Sequence, residues 1–137
     1  MFSQTLSLES LDLSNFDTSK VKDMSSMFED CEKITELKLT NFNVSAVEDM
    51  SWMFSDCREL KKLDLSMFET NSLTEVDEMF WNCTALEELY LTKMNTSNIT
   101  SMNKMFEDVP ATAQIYVGSN WTLTPEQTTY TGTFIVQ

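Results

Sequence analysis

The sequence contains no histidine and has only two glycines and two prolines among its 137 residues. Without histidine it lacks the commonest general base and the commonest protein metal ligand, which excludes the usual catalytic triads. Its turns must be made mainly by Asn, Asp, Ser and Thr, whose side chains bond to nearby backbone. No apolar run approaches the roughly 20 residues of a membrane-spanning helix, and the first residues do not resemble a secretory signal. We therefore expect no membrane insertion.

Basic residues are scarce as well. Nine lysines and arginines stand against 22 aspartates and glutamates, which gives a net charge of −13 at pH 7. Such a charge repels phosphate backbones and anionic lipid surfaces, so we expect no nucleic-acid partner. The same acidity occurs in proteins that imitate DNA and occupy basic proteins, and that interpretation stays open beside simple solubility.

The most informative feature that is present is a repeat of 26 residues. The first apolar column contains Leu11, Leu37, Leu63, Leu89 and Ile115. The second, two positions later, contains Leu13, Leu39, Leu65, Leu91 and Val117. Further apolar columns follow in the same register. A fixed period of this length is typical of proteins in which each repeat is one structural unit stacked on the next.

Each unit combines two periodicities. Leu11 and Leu13 alternate with polar neighbours, as in a short strand with one buried face. A second set lies at i, i+3, i+4 and i+7, the spacing of a short amphipathic helix: Met24, Met27, Phe28 and Cys31. One such unit cannot bury its apolar residues alone, so units stack. The sequence therefore predicts an α/β repeat solenoid with a short parallel sheet on one face and short helices on the other.

The register divides the chain into a single domain of successive units. A partial unit spans 1–10, four repeats span 11–36, 37–62, 63–88 and 89–114, and a terminal strand with a C-terminal cap spans 115–137. Residues 129–136 alternate weakly and are rich in β-branched and aromatic side chains, which predicts a strand or hairpin as a C-terminal β cap. The first unit opens at a Met-Phe pair, and its uncapped end could associate end to end with another unit.

The repeat resembles a known family. The segment that carries the resemblance is Leu11-Asp12-Leu13-Ser14-Asn15-Phe16-Asp17-Thr18-Ser19-Lys20-Val21, followed by Asp23-Met24-Ser25-Ser26-Met27-Phe28. It is similar to the BspA-like leucine-rich repeat surface proteins of bacteria and some protozoa, over roughly residues 6–124, with a departure at Val109-Pro110. The resemblance implies a leucine-rich-repeat solenoid in a secreted or surface-attached protein whose repeats mediate adhesion or other protein contacts, often with host or neighbouring-cell molecules.

Cysteines and carboxylates are the remaining candidates for chemistry. The three cysteines occupy one column: Cys31, Cys57 and Cys83. In-register side chains do not converge as a disulfide or a tetrahedral zinc site requires, so we predict buried free thiols and no metal or cofactor. Asp23, Asp49 and Glu75 recur just before the helical spacing, where a carboxylate can cap free amides. A calcium site is the second interpretation of that column.

Strand alternation places the neighbours of the inward-pointing leucines on the open face of the sheet. Charges alternate in sign along two columns of that face, so we expect neighbouring strands to pair their charges: Asp12, Lys38, Asp64 and Glu36, Lys62, Glu88. Tyr90 and Tyr116 are adjacent in the stack, and we expect Trp121 near them; exposed aromatics are typical contact anchors. The candidate binding residues here are Lys38, Asp64, Tyr90, Tyr116 and Trp121.

The outer side carries a second candidate. Trp52 and Trp81 fall at positions of the predicted helices that should face solvent, in adjacent units and three register positions apart. They are expected to form one aromatic patch. A partner contact is the functional interpretation of that patch, and simple mutual stacking is the structural one.

These features favour a non-enzymatic protein-binding or adhesion module of a surface or secreted protein, with a protein partner and no cofactor. Two alternatives remain open: a structural spacer within a longer repeat array, and an acidic inhibitor that binds a basic protein. A glycosidase is the enzyme class that the residues still allow, because it needs only two carboxylates.

Overall fold

The structure, a computed structural model, describes residues 2–137. Its strands are short, and the first five follow one another at the spacing of the sequence repeat. The elements in chain order are β1 Ser10–Asp12, β2 Glu36–Lys38, β3 Lys62–Asp64, β4 Glu88–Leu91, β5 Gln114–Val117, α1 Pro125–Thr128 and β6 Phe134–Val136.

The chain is a parallel β-solenoid of about four turns. Pairing between consecutive units is parallel and offset by one repeat, so that Leu11 lies opposite Leu37 and Leu89 lies opposite Ile115. β1 pairs with β2, and β3, β4, β5 and β6 form one four-stranded sheet in chain order. The predicted parallel sheet is therefore present, but it has two sections, because no ladder joins β2 to β3 within the described residues.

The second half of each unit is not a helix, and this part of the prediction is wrong. Alternate backbone amides donate to carbonyls of the next unit: Met24 to Asp49 at 2.9 Å, Ser26 to Ser51 at 2.9 Å and Phe28 to Met53 at 2.9 Å. Isolated parallel bridges continue the pairing nearby: Asp23 with Asp49, Asp49 with Glu75 and Glu75 with Ser101. The units are thus hydrogen-bonded to each other on this side too, through consecutive turns.

Backbone angles explain why no helix forms here. Ser26 and Asp30 have φ values of 54° and 57°, and the equivalent Glu78 and Asn82 have 53° and 58°. A left-handed residue in every turn is incompatible with an α-helix of L-residues. The second of the two positions is Asp or Asn in all four full units, residue types that tolerate this conformation. The leucine-rich-repeat assignment assumed the helix, so the structure supports only the coarser description, a parallel solenoid.

Side chains of equal register stack into columns inside the solenoid. One column contains Phe2, Phe28, Phe54, Phe80 and Phe106, whose successive ring centroids lie 5.8, 5.5, 5.5 and 5.2 Å apart. The cysteines are buried and free, as predicted. The Cys83 thiol donates to the Phe54 carbonyl at 3.1 Å, and burial raises its pKa to about 12. The Cys83 thiol is therefore a neutral packing group at physiological pH.

After β5 the chain folds across the end of the columns. α1 begins with a capping box at Thr124. β6 then pairs parallel with β5, so a strand is present within 129–136 as predicted, whereas the hairpin alternative is wrong. Phe134 and Tyr130 pack on Phe106 with ring centroids 5.9 and 5.6 Å away. This aromatic group covers the C-terminal end of the phenylalanine column.

Across residues 2–137, no helix has the length and apolar character needed to cross a bilayer.

Candidate binding surface

Two tyrosines form a stacked pair on the open face of the sheet. Tyr90 and Tyr116 are register partners in β4 and β5, and the residues that flank them in the strands are buried. Strand alternation therefore directs both rings outward. Their centroids lie 4.7 Å apart and their planes differ by 9°. The structure thus brings together the two tyrosines that the sequence placed in one column.

Each phenol is held by the side chain two residues before it. The Tyr90 hydroxyl donates to Glu88 Oε2 at 3.0 Å, and the Tyr116 hydroxyl donates to Gln114 Oε1 at 2.7 Å. The bond to Glu88 raises the pKa of Tyr90, so its hydroxyl stays protonated. Rings that are stacked and hydrogen-bonded before a partner arrives lose little side-chain freedom on binding.

Lys62 in β3 stands at one end of the pair. Its Nζ lies 2.7 Å from Glu88 Oε2 and 5.3 Å from the Tyr90 ring centroid, within the range of a cation–π contact. The hydrogen bond between Lys62 and Glu88 raises the pKa of Lys62 and lowers the pKa of Glu88. The charge alternation of this column predicted the ion pair, which is present. The contact with the ring was not predicted, because it depends on the lysine rotamer.

The exposed row continues onto β6. Ile135 lies opposite Tyr116 and is 38% exposed. We call Tyr90, Tyr116 and Ile135 the tyrosine row. Beside it lies an open cavity of about 500 Å³ whose lining includes Thr84, Glu87, Glu88, Pro110, Thr112 and Gln114. Because Glu88 and Gln114 line the cavity and also accept hydrogen bonds from the two tyrosine hydroxyls, the row and the cavity form one continuous surface of apolar rings and polar side chains.

Lys38 and Asp64 do not pair with each other across the sheet. The nearest acid to Lys38 is Glu36 of its own strand, with Nζ and Oε1 3.7 Å apart. Asp64 instead accepts the amide of Ser66 at 2.9 Å. The expected pairing is not formed, and no ladder joins β2 to β3 in the described part of the chain. Asp64 lies opposite Tyr90 in register, so it borders the tyrosine row, whereas Lys38 belongs to the other section of the sheet.

Trp121 does not lie with the tyrosines, and that expectation is wrong. Its ring packs on Phe134 and Phe106 with centroids 5.1 and 6.4 Å away, and its Nε1 donates to the Leu123 carbonyl at 2.9 Å. After β5 the chain turns toward the apolar columns rather than continuing along the exposed face. Trp121 is therefore part of the C-terminal aromatic group.

Trp52 and Trp81 occupy turns rather than helices. Trp52 is 39% exposed with φ of 57°, and Trp81 is partly buried. No ring contact joins them in the part of the chain that the structure describes, so the predicted common patch is not formed. Each remains a separate aromatic on the outer side.

Two of the three recurring carboxylates, Asp23 and Asp49, cap turns. Asp23 Oδ1 accepts the amide and the hydroxyl of Ser25 at 2.8 and 2.6 Å, and these bonds lower the pKa of Asp23. Asp49 accepts the amide of Ser51 at 2.7 Å. Capping of free amides is thus confirmed for Asp23 and Asp49, although the amides belong to turns, and no such bond is formed by the Glu75 side chain within the described residues. Among residues 2–137 no group of three or more acidic or cysteine side chains is arranged to hold a metal ion.

Basic side chains are almost all engaged in ion pairs. Eight of the nine lysines and arginines of the sequence lie within 4.0 Å of a carboxylate in the described residues. Several pairs join residues one repeat apart, as Lys22 with Glu48 at 2.8 Å and Lys61 with Glu87 at 3.6 Å. Few lysine or arginine side chains are therefore left to balance the remaining carboxylates, and the exterior is acidic.

One comparison with known proteins gives a match. The family described as Mycoplasma protein of unknown function, DUF285, matches residues 1–121. No curated protein and no solved structure matches the chain significantly.

Proposed function

The chain belongs to the DUF285 family, and from that premise we propose that it is a non-enzymatic repeat module that binds a protein partner through the tyrosine row. The observation that carries the proposal is the stacked, hydrogen-bonded tyrosine pair on an exposed sheet face. Aromatic side chains dominate the binding energy of protein interfaces. A row that is already ordered needs little rearrangement to dock.

The surroundings of the row support a protein partner. A flat apolar row bordered by polar and charged groups has the composition of an interface centre with its rim. Lys62, Glu88 and Gln114 supply hydrogen-bonding groups at the edge of the rings. The wide, open cavity beside the row can accept side chains of a partner segment.

The wider setting belongs to the same proposal. The matched segment from Leu11 to Phe28 resembles BspA-like leucine-rich repeat proteins, which favours a surface or secreted location and a role in adhesion. The lack of histidine and the burial of the three free cysteines support a non-enzymatic role.

A binding comparison tests the proposal. Tagged chain is incubated with solubilised surface proteins of candidate host cells, and captured proteins are quantified for the wild type, for Tyr90→Ala/Tyr116→Ala and for Trp52→Ala as the matched aromatic control. We expect a reproducible partner whose affinity falls at least about 30-fold in the double variant, as for interface hot spots, and is unchanged in the control. Unchanged binding by the double variant, or loss with Trp52→Ala, contradicts the proposal.

The acidic exterior favours a second candidate, an inhibitor of a basic protein. Because charge-driven association weakens steeply with salt, the two candidates differ in one measurement. Binding through the tyrosine row should persist when the salt concentration is raised to about 1 M, at which the Debye length is about 3 Å. Binding through net charge should be abolished there, and should be insensitive to the two tyrosines.

A further inference from the structure

β6 is the last strand of its sheet and has an open outer edge. The amide of Gln137 donates to the Val117 carbonyl at 2.9 Å, and this bond shows which edge of β6 faces β5. Backbone groups of successive strand residues point to alternate edges, so those of Phe134 and Val136 point away from β5. No strand of the described residues lies on that side. The groups are therefore available to another strand.

Apart from its length of only three residues, this edge lacks the usual protection. Natural edge strands are commonly shielded by charges, prolines or bulges. Residues 127–137 contain no aspartate, glutamate, lysine, arginine or proline, in a chain that is 23% charged. Ile135 and Val136 are 38% and 74% exposed. The edge thus combines free backbone groups with exposed apolar side chains.

The charge distribution indicates which strand it would accept. Two copies of a chain with a net charge of −13 repel each other over most of their surfaces. A symmetric contact brings the same patch of both copies together, so it is most favourable where that patch has no charged side chain. Residues 127–137 form such a patch. A second copy therefore fits this edge better than it fits the acidic faces.

We propose that two copies of the chain associate by antiparallel pairing of their β6 edges, centred on Ile135. In this register Phe134 lies opposite Val136 of the partner subunit, and both residues direct their backbone groups into the contact. Each such pair exchanges two hydrogen bonds. Ile135 lies opposite its own copy in a pair without hydrogen bonds, where side chains approach most closely.

The pairing would join the tyrosine rows of the two copies. Ile135 is the outermost member of the row, and its side chain lies on the same face as Tyr116. Eight strands would then form one sheet with two aromatic rows on one face. The proposal stands on the edge alone and does not depend on what the tyrosine row binds.

The strength of the contact follows from its size. An edge of three residues buries less than the roughly 1,200 Å² of a stable interface. We therefore expect a weak dimer, with a dissociation constant on the order of 10⁻⁴ M. Such a dimer would gain in importance where copies are crowded or tethered.

Sedimentation velocity from about 10 μM to about 1 mM chain, with circular dichroism as a check on folding, tests the proposal. We expect concentration-dependent dimerisation of the wild type. Ile135→Lys and Ile135→Glu should each weaken it at least about tenfold, because like charges then lie directly opposite. An equimolar mixture of the two variants should dimerise again, since the opposed charges are now complementary.

The matched control is Phe16→Lys. Phe16 is 42% exposed and lines an apolar groove of about 200 Å³ with Val21 and Met24 in the first unit. The Phe16→Lys substitution should leave dimerisation unchanged. A wild type that stays monomeric to about 1 mM overturns the proposal. So does a dimer that survives in the Ile135 variants, or one that only Phe16→Lys abolishes, because the latter would place self-association at the groove.

Discussion

Replacing Phe54 by alanine should lower the free energy of unfolding by about 3–5 kcal/mol, the cost of deleting a buried aromatic ring. The Phe54 ring is fully buried and stacks between Phe28 and Phe80, each with its centroid 5.5 Å away. Its loss would leave a cavity in the middle of a column, where neighbours on both sides are fixed by inter-unit hydrogen bonds. Urea denaturation followed by circular dichroism measures the change.

Phe2→Ala is the matched control for this substitution. Phe2 belongs to the same column, but it lies at the end of it and is only partly buried. We expect a loss of about 1 kcal/mol or less, because fewer contacts disappear and no internal cavity forms. Equal effects of the two substitutions would show that the column is not continuously packed.

Replacing Gly118 by alanine should destabilise the protein by about 3 kcal/mol or more, above the usual cost of one extra methyl group in a core. A Cβ atom at this position would lie 1.9 Å from the Thr92 carbonyl oxygen, so backbone must move to admit it. Gly118 is buried just after β5, where the chain turns toward the C-terminal aromatic group. Thermal and urea unfolding measure the loss in the free energy of unfolding.

The neighbouring Ser119→Ala is the control for Gly118. Ser119 is exposed, so its substitution should change stability by less than about 0.5 kcal/mol. If Gly118→Ala were as mild as Ser119→Ala, the close approach to Thr92 would be incorrect.

The strand half of the repeat could be predicted from the sequence because its period is unambiguous. Leu11 and Leu13 alternate with polar residues, and only an extended strand buries both. The constant offset of 26 then predicts parallel pairing, which is observed for three strand pairs. The interruption between β2 and β3 left no trace in the pattern, since Leu37 and Leu63 continue the column.

The turn half was misassigned because two kinds of backbone give the same apolar spacing. Met24, Met27, Phe28 and Cys31 face inward from a pair of successive turns as they would from a helix. The position that distinguishes successive turns from a helix is the one occupied by Asp30 in the first full unit, which is Asp or Asn in each full unit. Those residue types favour a left-handed conformation over a helix interior, and that signal was overlooked.

The candidate site was predicted in part for a similar reason. Register alone brings Tyr90 and Tyr116 together, so the sequence sufficed for that pair. The position of Trp121 depends on where the chain turns after Gly118, and the addition of Ile135 to the row depends on how β6 pairs. Neither can be obtained from the repeat, because residues 118–137 do not follow it.

The central structural claim is that the second half of each unit consists of turns with left-handed residues, and position 78 tests it most directly. Glu78 has φ of 53°, and its amide donates to the Asn103 carbonyl at 2.8 Å. Glu78→Gly and Glu78→Ala both remove the carboxylate. The two variants differ only in the Cβ atom, which restricts the backbone. Urea unfolding should find the glycine variant more stable by about 1 kcal/mol, because glycine adopts this conformation without steric cost. A helix would give the opposite sign, with alanine more stable by about 1 kcal/mol, and that result would contradict the turn structure.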